Sequence, residues 1–391
     1  MYKIKTLNDI SSVGLNTFSN KYKISKHFED EDAILLRSAN IHDYEFSENV
    51  KSVARAGAGV NNIPIDKCSE KGIVVFNTPG ANANAVKELV FAGLLMASRG
   101  IVDGVNWVQT QKDNENIAKD AEKQKKLYSG NELLNKNLGV IGLGAIGVQV
   151  ANLALDFGMN VYGYDPYISL ANAWNLSRNV KHSDSIDELL KNCDYITLHI
   201  PLNDKTKNTI NDEVISKMKR GVKILNFSRD SLVNTEALLK GIEFKIIDKY
   251  ITDFPVQKQI GNNNIIILPH LGASTEESED NCALLAVRET MEFLEKGNIS
   301  NSVNLPNCNM EISGKMRICC IHSNIPKMLT QITDSLSQND VNIENLMNKS
   351  KKELAYTMVD IADPVEDKIV ENIKKIPGMI KVTTFDFSDL I

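Results

Sequence analysis

The first hundred residues contain short apolar runs that are separated by polar segments. Such runs fall at residues 33–36, 50–54 and 73–76, and turn-like or helix-like segments lie between them. Because strands of a parallel sheet are buried on both faces, they read as continuous apolar runs, and this pattern predicts a parallel α/β sheet. A dense apolar stretch from Val86 to Ala97 predicts a buried helix. The polar residues 109–126 that follow are predicted to cross between domains.

A second strand and helix series begins near residue 138. Six strands are predicted, at residues 138–142, 160–165, 195–199, 223–227, 249–253 and 265–268. Helical segments join them, which is typical of a doubly wound sheet of the Rossmann or flavodoxin-like kind. A long helical pattern over residues 275–295 closes the series, and Gly297 and Pro306 mark its exit.

The order of elements changes after Lys315. Strands are predicted at residues 317–322, 345–350, 356–361 and 380–385, with helices at residues 327–339 and 365–374. This βαββαβ order is that of the ferredoxin-like split motif. A chain of 391 residues is too long for one ordinary core. We therefore expect three domains: residues 1–97 with about 280–305, residues 98–279, and residues 315–391.

Composition excludes several classes of protein. The net charge is −6 with Lys and Arg scattered among the acids, so no basic face for nucleic acid is expected. No apolar run approaches the ~20 residues that cross a bilayer, and the first residues lack a signal-peptide pattern, so we expect neither membrane attachment nor export but a cytoplasmic protein. The six cysteines show no CxxC pair and no spacing suited to zinc, which favours reduced packing residues and no metal.

A glycine pattern lies where the second series begins. Gly142, Gly144 and Gly147 stand between a predicted strand and a predicted helix, with Ala145 and Ile146 at the helix start. The spacing allows a tight turn, close approach of backbone to a pyrophosphate, and close packing of helix on strand. Asp165 follows at the end of the next strand, where a carboxylate accepts ribose hydroxyls and repels a 2′-phosphate. The pattern predicts an NAD site. The alternative is an ordinary tight turn, with Asp165 capping a helix.

Three segments carry a more specific resemblance. Residues 198–202 (LHIPL), 226–229 (NFSR) and 268–274 (LPHLGAS) all lie at the carboxyl ends of predicted strands. Together with the glycine loop they resemble the D-2-hydroxyacid dehydrogenase family over roughly residues 50–300. In that chemistry a histidine can remove the hydroxyl proton at C2, and a guanidinium can bind the substrate carboxylate through two hydrogen bonds. We assign these roles to His270 and Arg229; alone, each would more often be structural.

The resemblance also implies further cofactor contacts and shows one departure from the family. The implied contacts are Thr78, His199, Ile200, Pro201, Phe227, Ser228, Asp253, Gly272 and Ala273. Members of the family usually place a catalytic glutamate shortly after the residue matched by Asp253, and no acid lies between Asp253 and Asn264. Gln257 is the nearest candidate and could orient the imidazole without supplying charge. Lys249 is the other polar candidate.

Two glycine-rich segments near the N-terminus resemble the substrate loops of the family. The implied substrate contacts are Arg55, Gly57, Ala58, Gly59 and Asn82. Backbone N–H groups of the three small residues would form an anion nest for the substrate carboxylate, and Asn82 begins a predicted helix. Lys125 and Lys126 could add charge for a phosphate. The alternative for the glycine segment is an ordinary turn.

Residues 316–391 resemble an ACT domain, a module that binds amino acids at paired interfaces. His322, Asn324 and Asn342 match its ligand pattern, and the resemblance implies L-serine as effector. A glycine usually follows Pro326 in that pattern, and here Lys327 stands in its place. The alternative is an oligomerisation module without a ligand.

From these resemblances we expect NAD-dependent oxidation of D-3-phosphoglycerate to 3-phosphohydroxypyruvate, the first step of L-serine biosynthesis, in a homo-oligomer. One alternative is a hydroxypyruvate or glyoxylate reductase. A second is a non-catalytic NAD-sensing protein on the same fold, to which the missing glutamate lends support.

Overall fold

The computed structural model describes residues 1–390 of the chain. These residues form two compact units: Met1–Asn82 together with the C-terminal part from Glu276 onward, and Ala83–Thr275. In the described part of the chain, no helix is both long enough and apolar enough to span a membrane.

The first unit contains a five-stranded parallel sheet. Its strands are β1 (Tyr2–Thr6), β2 (Tyr22–Ser25), β3 (Ala33–Leu36), β4 (Ser52–Arg55) and β5 (Val74–Phe76), in the order β2-β1-β3-β4-β5. The strands predicted near residues 33, 50 and 73 are confirmed. Strands β1 and β2 were missed because lysines alternate with their apolar residues, so they lack the continuous apolar run of a strand that is buried on both faces.

Three helices accompany this sheet: α1 (Ser12–Leu15), α2 (Ile65–Glu70) and the long α11 (Glu276–Lys296). Helix α11 buries Cys282, Val287 and Phe293 in the same core as strands β3 to β5. The Phe293 ring meets Phe76 edge to face, with ring centroids 5.8 Å apart. The long helix predicted over residues 275–295 is therefore confirmed, and it belongs to the first unit.

A four-stranded antiparallel sheet completes the first unit. Its strands β13 (Met316–Ser323), β14 (Ile343–Lys351), β15 (Leu354–Ile361) and β16 (Met379–Asp386) lie in the order β14-β15-β13-β16, with helices α12 (Met328–Ser337) and α13 (Asp367–Lys374) between them. The predicted βαββαβ element order is confirmed. Alternate residues of β13 point to opposite faces: Ile318 and Cys320 pack with the helices, while Cys319 and Ile321 join the core of the five-stranded sheet.

A buried ion pair fastens this sheet to the end of helix α11. Arg317 and Asp360 are fully buried and bond bidentately, with N–O distances of 2.6 and 2.8 Å. The guanidinium also donates to the backbone oxygens of Lys296 and Glu311, at 2.8 and 3.0 Å. Ser313 donates to Asp360 through its backbone N–H and its hydroxyl. These bonds satisfy the buried charges, which would otherwise be costly.

The second unit is built on a seven-stranded parallel sheet. Its strands are β6 (Asn137–Ile141), β7 (Asn160–Tyr164), β8 (Lys181–His182), β9 (Tyr195–Leu198), β10 (Val222–Asn226), β11 (Ile247–Thr252) and β12 (Ile265–Ile267), in the order β12-β11-β10-β9-β6-β7-β8. All six predicted strands are present. The seventh, β8, is an exposed two-residue strand, too short to give a hydrophobic pattern.

Helices cover both faces of the second sheet. They are α3 (Ala83–Ser98), α4 (Ile101–Thr110), α5 (Ile117–Gln124), α6 (Ala145–Asp156), α7 (Leu170–Asn175), α8 (Ile186–Asn192), α9 (Asp212–Ser216) and α10 (Thr235–Glu243), with 3-10 turns at Lys125–Tyr128, Asp230–Leu232 and Gln257–Gln259.

Two segments lie elsewhere than the sequence suggested. Helix α3, which we placed in the first domain, packs on α6, β10 and β11, because Val90 and Leu94 are buried in the core of the second sheet. Residues 109–126, predicted to cross between domains, form the end of α4, α5 and a 3-10 turn inside the second unit. The functional division into three domains stays a prediction.

Candidate active site

The glycine loop between β6 and α6 has the shape that a dinucleotide pyrophosphate requires. Gly142 has a φ of +94°, and a Cβ there would lie 2.5 Å from the His199 backbone oxygen. A Cβ on Gly147 would lie 1.9 Å from the Gly142 oxygen, so only glycine lets the helix approach the strand this closely. A Cβ on Gly144 would meet no atom within 4 Å. The loop is therefore tight inside the fold and open where a ligand would approach.

Helix α6 begins directly after this opening. Gly144 is its N-cap residue, and its oxygen accepts the first helical bond, from Val148 N–H at 3.1 Å. Ala145, Ile146 and Gly147 form the first turn, whose N–H groups have no helical acceptor in any α-helix. These groups and the helix dipole suit a phosphate.

Asp165 lies just after β7 and is bonded to the glycine loop. Its Oδ2 accepts the Leu143 N–H at 2.8 Å, and its Oδ1 accepts the Tyr167 N–H at 2.8 Å. Each oxygen keeps a further lone pair for a ribose hydroxyl. The carboxylate thus serves both the loop and the predicted sugar site.

Arg229 is positioned by a buried asparagine at the end of β10. Asn226 is fully buried, and its amide donates to the Arg229 backbone oxygen at 2.8 Å and to the Tyr250 hydroxyl at 3.2 Å. Thr252, at the end of β11, donates to the Asn226 backbone oxygen at 2.9 Å. The half-buried guanidinium donates to the Ser228 oxygen at 2.6 Å. The arginine therefore projects from a rigid strand end.

His270 lies in a turn after β12 whose backbone is held by Asp253. Its φ of +51° is unusual for a residue with a side chain. The His270 N–H donates to the Asp253 backbone oxygen at 2.9 Å, and the Asp253 carboxylate accepts the Gly272 N–H at 2.8 Å. The exposed imidazole rests against the Phe254 ring, with centroids 4.9 Å apart. These contacts hold the histidine in a conformation that it would not adopt alone.

Asp253 links the two proposed catalytic residues. Its side chain is buried, and burial raises the pKa of its carboxyl, while the Gly272 N–H and the charges of His270 and Arg229 act in the opposite direction. The side chains of Arg229 and His270 therefore both lie within electrostatic reach of one carboxyl group. The structure brings Arg229, His270 and Asp253 together at the carboxyl edge of the sheet, where ligands bind this type of fold.

His199 is a neutral, structural neighbour of the glycine loop. Burial lowers its pKa to about 3. One ring nitrogen pairs with the Thr197 hydroxyl at 3.0 Å. An imidazole that stays neutral at working pH cannot serve as a titrating base. This geometry agrees with a lining role.

Neither candidate for the missing glutamate reaches His270 in this structure. Gln257 is exposed at the start of a 3-10 turn, and its side chain makes no hydrogen bond within residues 1–390. Lys249 donates to the Asn263 backbone oxygen at 2.7 Å. The charge of His270 instead lowers the pKa of the Asp253 carboxyl, a residue that the family resemblance assigned to the cofactor.

The predicted substrate contacts lie on two loops of the first unit. Arg55 ends β4 and donates to the Arg37 backbone oxygen at 2.8 Å. The Gly57 oxygen accepts the Thr78 N–H at 3.1 Å, and the Ala58 oxygen accepts the Asn77 amide at 2.6 Å. The two loops are thus tied to each other, and Gly59 follows in the first of them. Asn82 directly precedes α3.

The remaining predicted contacts are placed as follows. Ile200 and Pro201 follow β9, beside the glycine loop. Phe227 is buried directly after β10, and the Ser228 hydroxyl donates to the Leu198 backbone oxygen at 2.6 Å. Ala273 follows Gly272 in the turn after β12. Lys125 and Lys126 lie in an exposed 3-10 turn, where Lys125 pairs with Glu122.

The three predicted effector contacts lie around the start and end of helix α12. His322 is buried, its ring nitrogens pair with the Ser323 oxygen and the Thr357 hydroxyl at 2.8 Å each, and burial lowers its pKa. Asn324 donates to the Lys352 oxygen at 3.1 Å, and Asn342 to Glu344 at 2.7 Å. A ligand would have to exchange with these partners.

Comparison with known proteins places this arrangement in a family. Residues 91–272 match the model of the NAD binding domain of D-isomer specific 2-hydroxyacid dehydrogenases. The chain is 34% identical over 367 residues to a D-3-phosphoglycerate dehydrogenase of Methanocaldococcus jannaschii, covering 92% of this chain and 67% of that protein. It belongs to the D-2-hydroxyacid dehydrogenase family. NAD is accordingly its cofactor, as the glycine loop and Asp165 predicted.

Two further relatives of this dehydrogenase chain are a reductase and a protein of known structure. A hydroxypyruvate reductase of Thermotoga maritima is 35% identical over 286 residues, covering 70% of this chain and 88% of that protein. A solved NAD+-bound 3-phosphoglycerate dehydrogenase of Entamoeba histolytica has a TM-score of 0.62 and 28% identity, covering 78% of this chain and 98% of that one. The chain spans 53–67% of the length of the first three phosphoglycerate dehydrogenase relatives.

Several supporting residues of the dehydrogenase site were not singled out from the sequence. Asn226, Tyr250 and Thr252 fix the strand end that carries Arg229, and Phe254 packs on His270. A polar residue at the end of an apolar strand was the available signal for Asn226. The pairing of Tyr250 and Thr252 with it depends on strand order, which local sequence does not give.

Proposed function

We propose that the chain oxidises D-3-phosphoglycerate to 3-phosphohydroxypyruvate with NAD, the first step of L-serine biosynthesis. The observation that carries the dehydrogenase part is the placement of Arg229 and His270 around the buried carboxyl of Asp253. One cation with directional donors and one exposed imidazole at the same strand edge suit a 2-hydroxy acid.

The protein residues have distinct roles in this proposal. Arg229 binds the substrate carboxylate through its two parallel N–H donors, and Asn226 keeps its backbone in place. His270 removes the proton of the C2 hydroxyl through a ring nitrogen, and Asp253 stabilises the cation that results. The bound NAD supplies the hydride acceptor. The role of Gln257 in orienting the imidazole stays a prediction; in this structure its side chain is exposed and makes no hydrogen bond within residues 1–390.

Recognition of the phosphate rests on the first unit and on the relatives. Arg55 is the proposed cation, and the Gly57–Gly59 segment offers backbone N–H groups to the substrate. The phosphoglycerate dehydrogenase from Methanocaldococcus jannaschii aligns with 92% of this chain, whereas the hydroxypyruvate reductase aligns with 70%. The first three relatives are all phosphoglycerate dehydrogenases, at 33–34% identity, which favours the phosphorylated substrate. The reductase stays as a second candidate, since its identity of 35% is no lower than the 34% of the phosphoglycerate dehydrogenase.

Substrate comparison separates these two candidates. We expect kcat/KM for D-3-phosphoglycerate to exceed that for D-glycerate by at least about 100-fold, because the phosphate adds a charge-assisted hydrogen bond that D-glycerate cannot make. Arg55→Met should remove most of this difference. Arg220→Met is the matched control, because Arg220 is exposed and donates to the Phe244 backbone oxygen. Equal kcat/KM for the two substrates would favour the reductase.

The C-terminal sheet is proposed to be an ACT-like regulatory domain that binds L-serine in a homo-oligomer. Support comes from the βαββαβ order and from Lys327, whose φ of +71° is the backbone conformation that the usual glycine would adopt. Isothermal titration of the full chain with L-serine tests this. We expect saturable binding that Asn324→Ala weakens at least tenfold; no heat at millimolar serine would leave a structural module. Sedimentation velocity tests the oligomer.

A further inference from the structure

A four-residue segment lies along the outer edge of β5 in the first unit. This strap, residues 301–304, forms an antiparallel bridge between Ser302 and Phe76. Val303 N–H donates to the Val75 oxygen at 2.8 Å, and the Asn304 side chain accepts the Val75 N–H at 2.9 Å. The strap therefore continues the five-stranded sheet by a short antiparallel pairing.

The strap is connected to the proposed substrate loops. The Asn77 N–H donates to the Asn301 backbone oxygen at 3.5 Å. The Asn77 amide donates in turn to the Ala58 oxygen at 2.6 Å, and Thr78 N–H donates to the Gly57 oxygen at 3.1 Å. A displacement of Asn301 would therefore reach the backbone of the Gly57–Gly59 loop through a single residue, Asn77.

A buried carboxyl holds the strap from the side of helix α11. Glu289 is 4% exposed, and its Oε1 accepts the Asn301 amide at 2.6 Å. Its Oε2 is buried without a hydrogen-bond partner among residues 1–390. Asn301 has a φ of +54°, a conformation that asparagine tolerates better than most residues. The contact thus fixes the strap at a residue with a left-handed backbone conformation.

The ionisation of Glu289 suits a holding role near neutral pH. Burial raises its pKa to about 8, and the Asn301 hydrogen bond and the nearby charge of Arg288 oppose this rise. Below that value the neutral carboxyl keeps its proton on one oxygen and accepts the Asn301 amide with the other. Above it, a buried charge must be accommodated with a single hydrogen bond, which favours local rearrangement.

We propose that Glu289 is a positioning residue that sets the conformation of the substrate loop at Gly57–Gly59 through Asn301 and Asn77. This inference rests on the proposed function only in naming that loop as a substrate contact. It assigns Glu289 no contact with the substrate.

The test measures binding of D-3-phosphoglycerate to the full chain by calorimetry, alongside kcat and KM with NAD. Glu289→Ala and Asn301→Gly should each weaken binding about fivefold to tenfold while kcat changes less than twofold, since an ordering hydrogen bond is lost and the catalytic residues are untouched. Glycine at position 301 keeps the positive φ without strain. Glu289→Gln keeps the acceptor and should bind like the wild type at pH 7.

Glu31→Ala is the matched control. Glu31 is also buried in the first unit, with one oxygen accepting a hydrogen bond, from Tyr44 at 2.8 Å, and the other without a partner within residues 1–390. We expect it to lose comparable stability but to bind substrate within twofold of the wild type. Equal weakening in Glu31→Ala and Glu289→Ala, or unchanged binding in a folded Glu289→Ala, overturns the proposal.

A pH series supplies an independent readout. Between pH 7 and pH 9 the wild type should lose more affinity than Glu289→Gln, because only the wild type acquires the buried charge. Parallel curves overturn the role of the carboxyl. Binding that responds to Glu289 without any turnover supports this inference and rejects the proposed oxidation; absence of both binding and turnover rejects both.

Discussion

Gly144→Ala is the change that separates cofactor binding from folding in this protein. A Cβ at position 144 meets no protein atom within 4 Å, and the φ of −74° is open to alanine. The methyl group would instead occupy the approach to the first turn of α6. The substitution therefore adds bulk only where the pyrophosphate of NAD is expected.

The magnitudes follow from these contacts. Gly to Ala at a compatible backbone position stabilises by about 0.4–1 kcal/mol, and loss of glycine at an N-cap opposes this by a similar amount, so stability should change by less than about 1 kcal/mol. Displacing the phosphate from one backbone N–H forfeits a charge-assisted bond of about 1.5–3 kcal/mol. The Kd for NAD should then rise about 10- to 150-fold.

Two assays on the same preparations decide this prediction. Calorimetric titration with NAD gives Kd, and thermal unfolding gives Tm. Gly142→Ala is the contrasting variant, since its φ of +94° costs alanine about 1–2 kcal/mol and its Cβ would overlap the His199 oxygen at 2.5 Å. We expect Gly142→Ala to lower Tm and Gly144→Ala to leave it within a few degrees. An unchanged Kd in Gly144→Ala would refute the assignment of the loop to the pyrophosphate.

Three further expectations concern other parts of the molecule. Asp165→Ser should raise kcat/KM for NADP relative to NAD at least tenfold, because the carboxylate that repels a 2′-phosphate is gone; an unchanged ratio counts against its contact with the ribose. Burial lowers the pKa of His199 to about 3, below its unfolded value of 6.5, so the free energy of unfolding should fall as pH drops from 6.5 towards 3. His199→Asn should flatten this pH dependence in urea unfolding, and an identical pH dependence would refute the prediction. Asp360→Ala should destabilise the fold by about 3–5 kcal/mol, because it leaves the Arg317 charge buried and uncompensated. In calorimetric unfolding the double variant Arg317→Met with Asp360→Leu should recover most of this loss, and equal losses in the single and double variants would argue against the ion pair.

Local sequence predicted most of the sheet-forming segments, because parallel strands that are buried on both faces consist of continuous apolar runs. The strands after residues 33, 138 and 195 were found in this way. Strand β1 was missed because its lysines alternate with its apolar residues. Strand β8 was missed because two residues are too few to show a hydrophobic pattern. Helix α3 was predicted, but the sheet on which it packs was not, because the apolar residues of a helix do not indicate which sheet they will contact.

The same limit applies to the candidate site. The glycine spacing, Asp165, Arg229 and His270 were evident because each follows a strand that is itself visible. The position of Gln257 was inferred from its distance along the chain after Asp253, and the structure places it exposed in a 3-10 turn. The electrostatic reach of Asp253 to both Arg229 and His270 depends on strand order and burial, so no local pattern could have shown it.

Transfer of hydride from C2 of the substrate is the most direct test of the account. D-3-phosphoglycerate carrying deuterium at C2 is incubated with NAD and the full chain, and the reduced cofactor is analysed by mass spectrometry. We expect reduced cofactor one mass unit heavier than the unlabelled form, with the yield lowered at least about 100-fold in Arg229→Ala and His270→Ala. Formation of no reduced cofactor, or equal yields in the wild type and both variants, would contradict it.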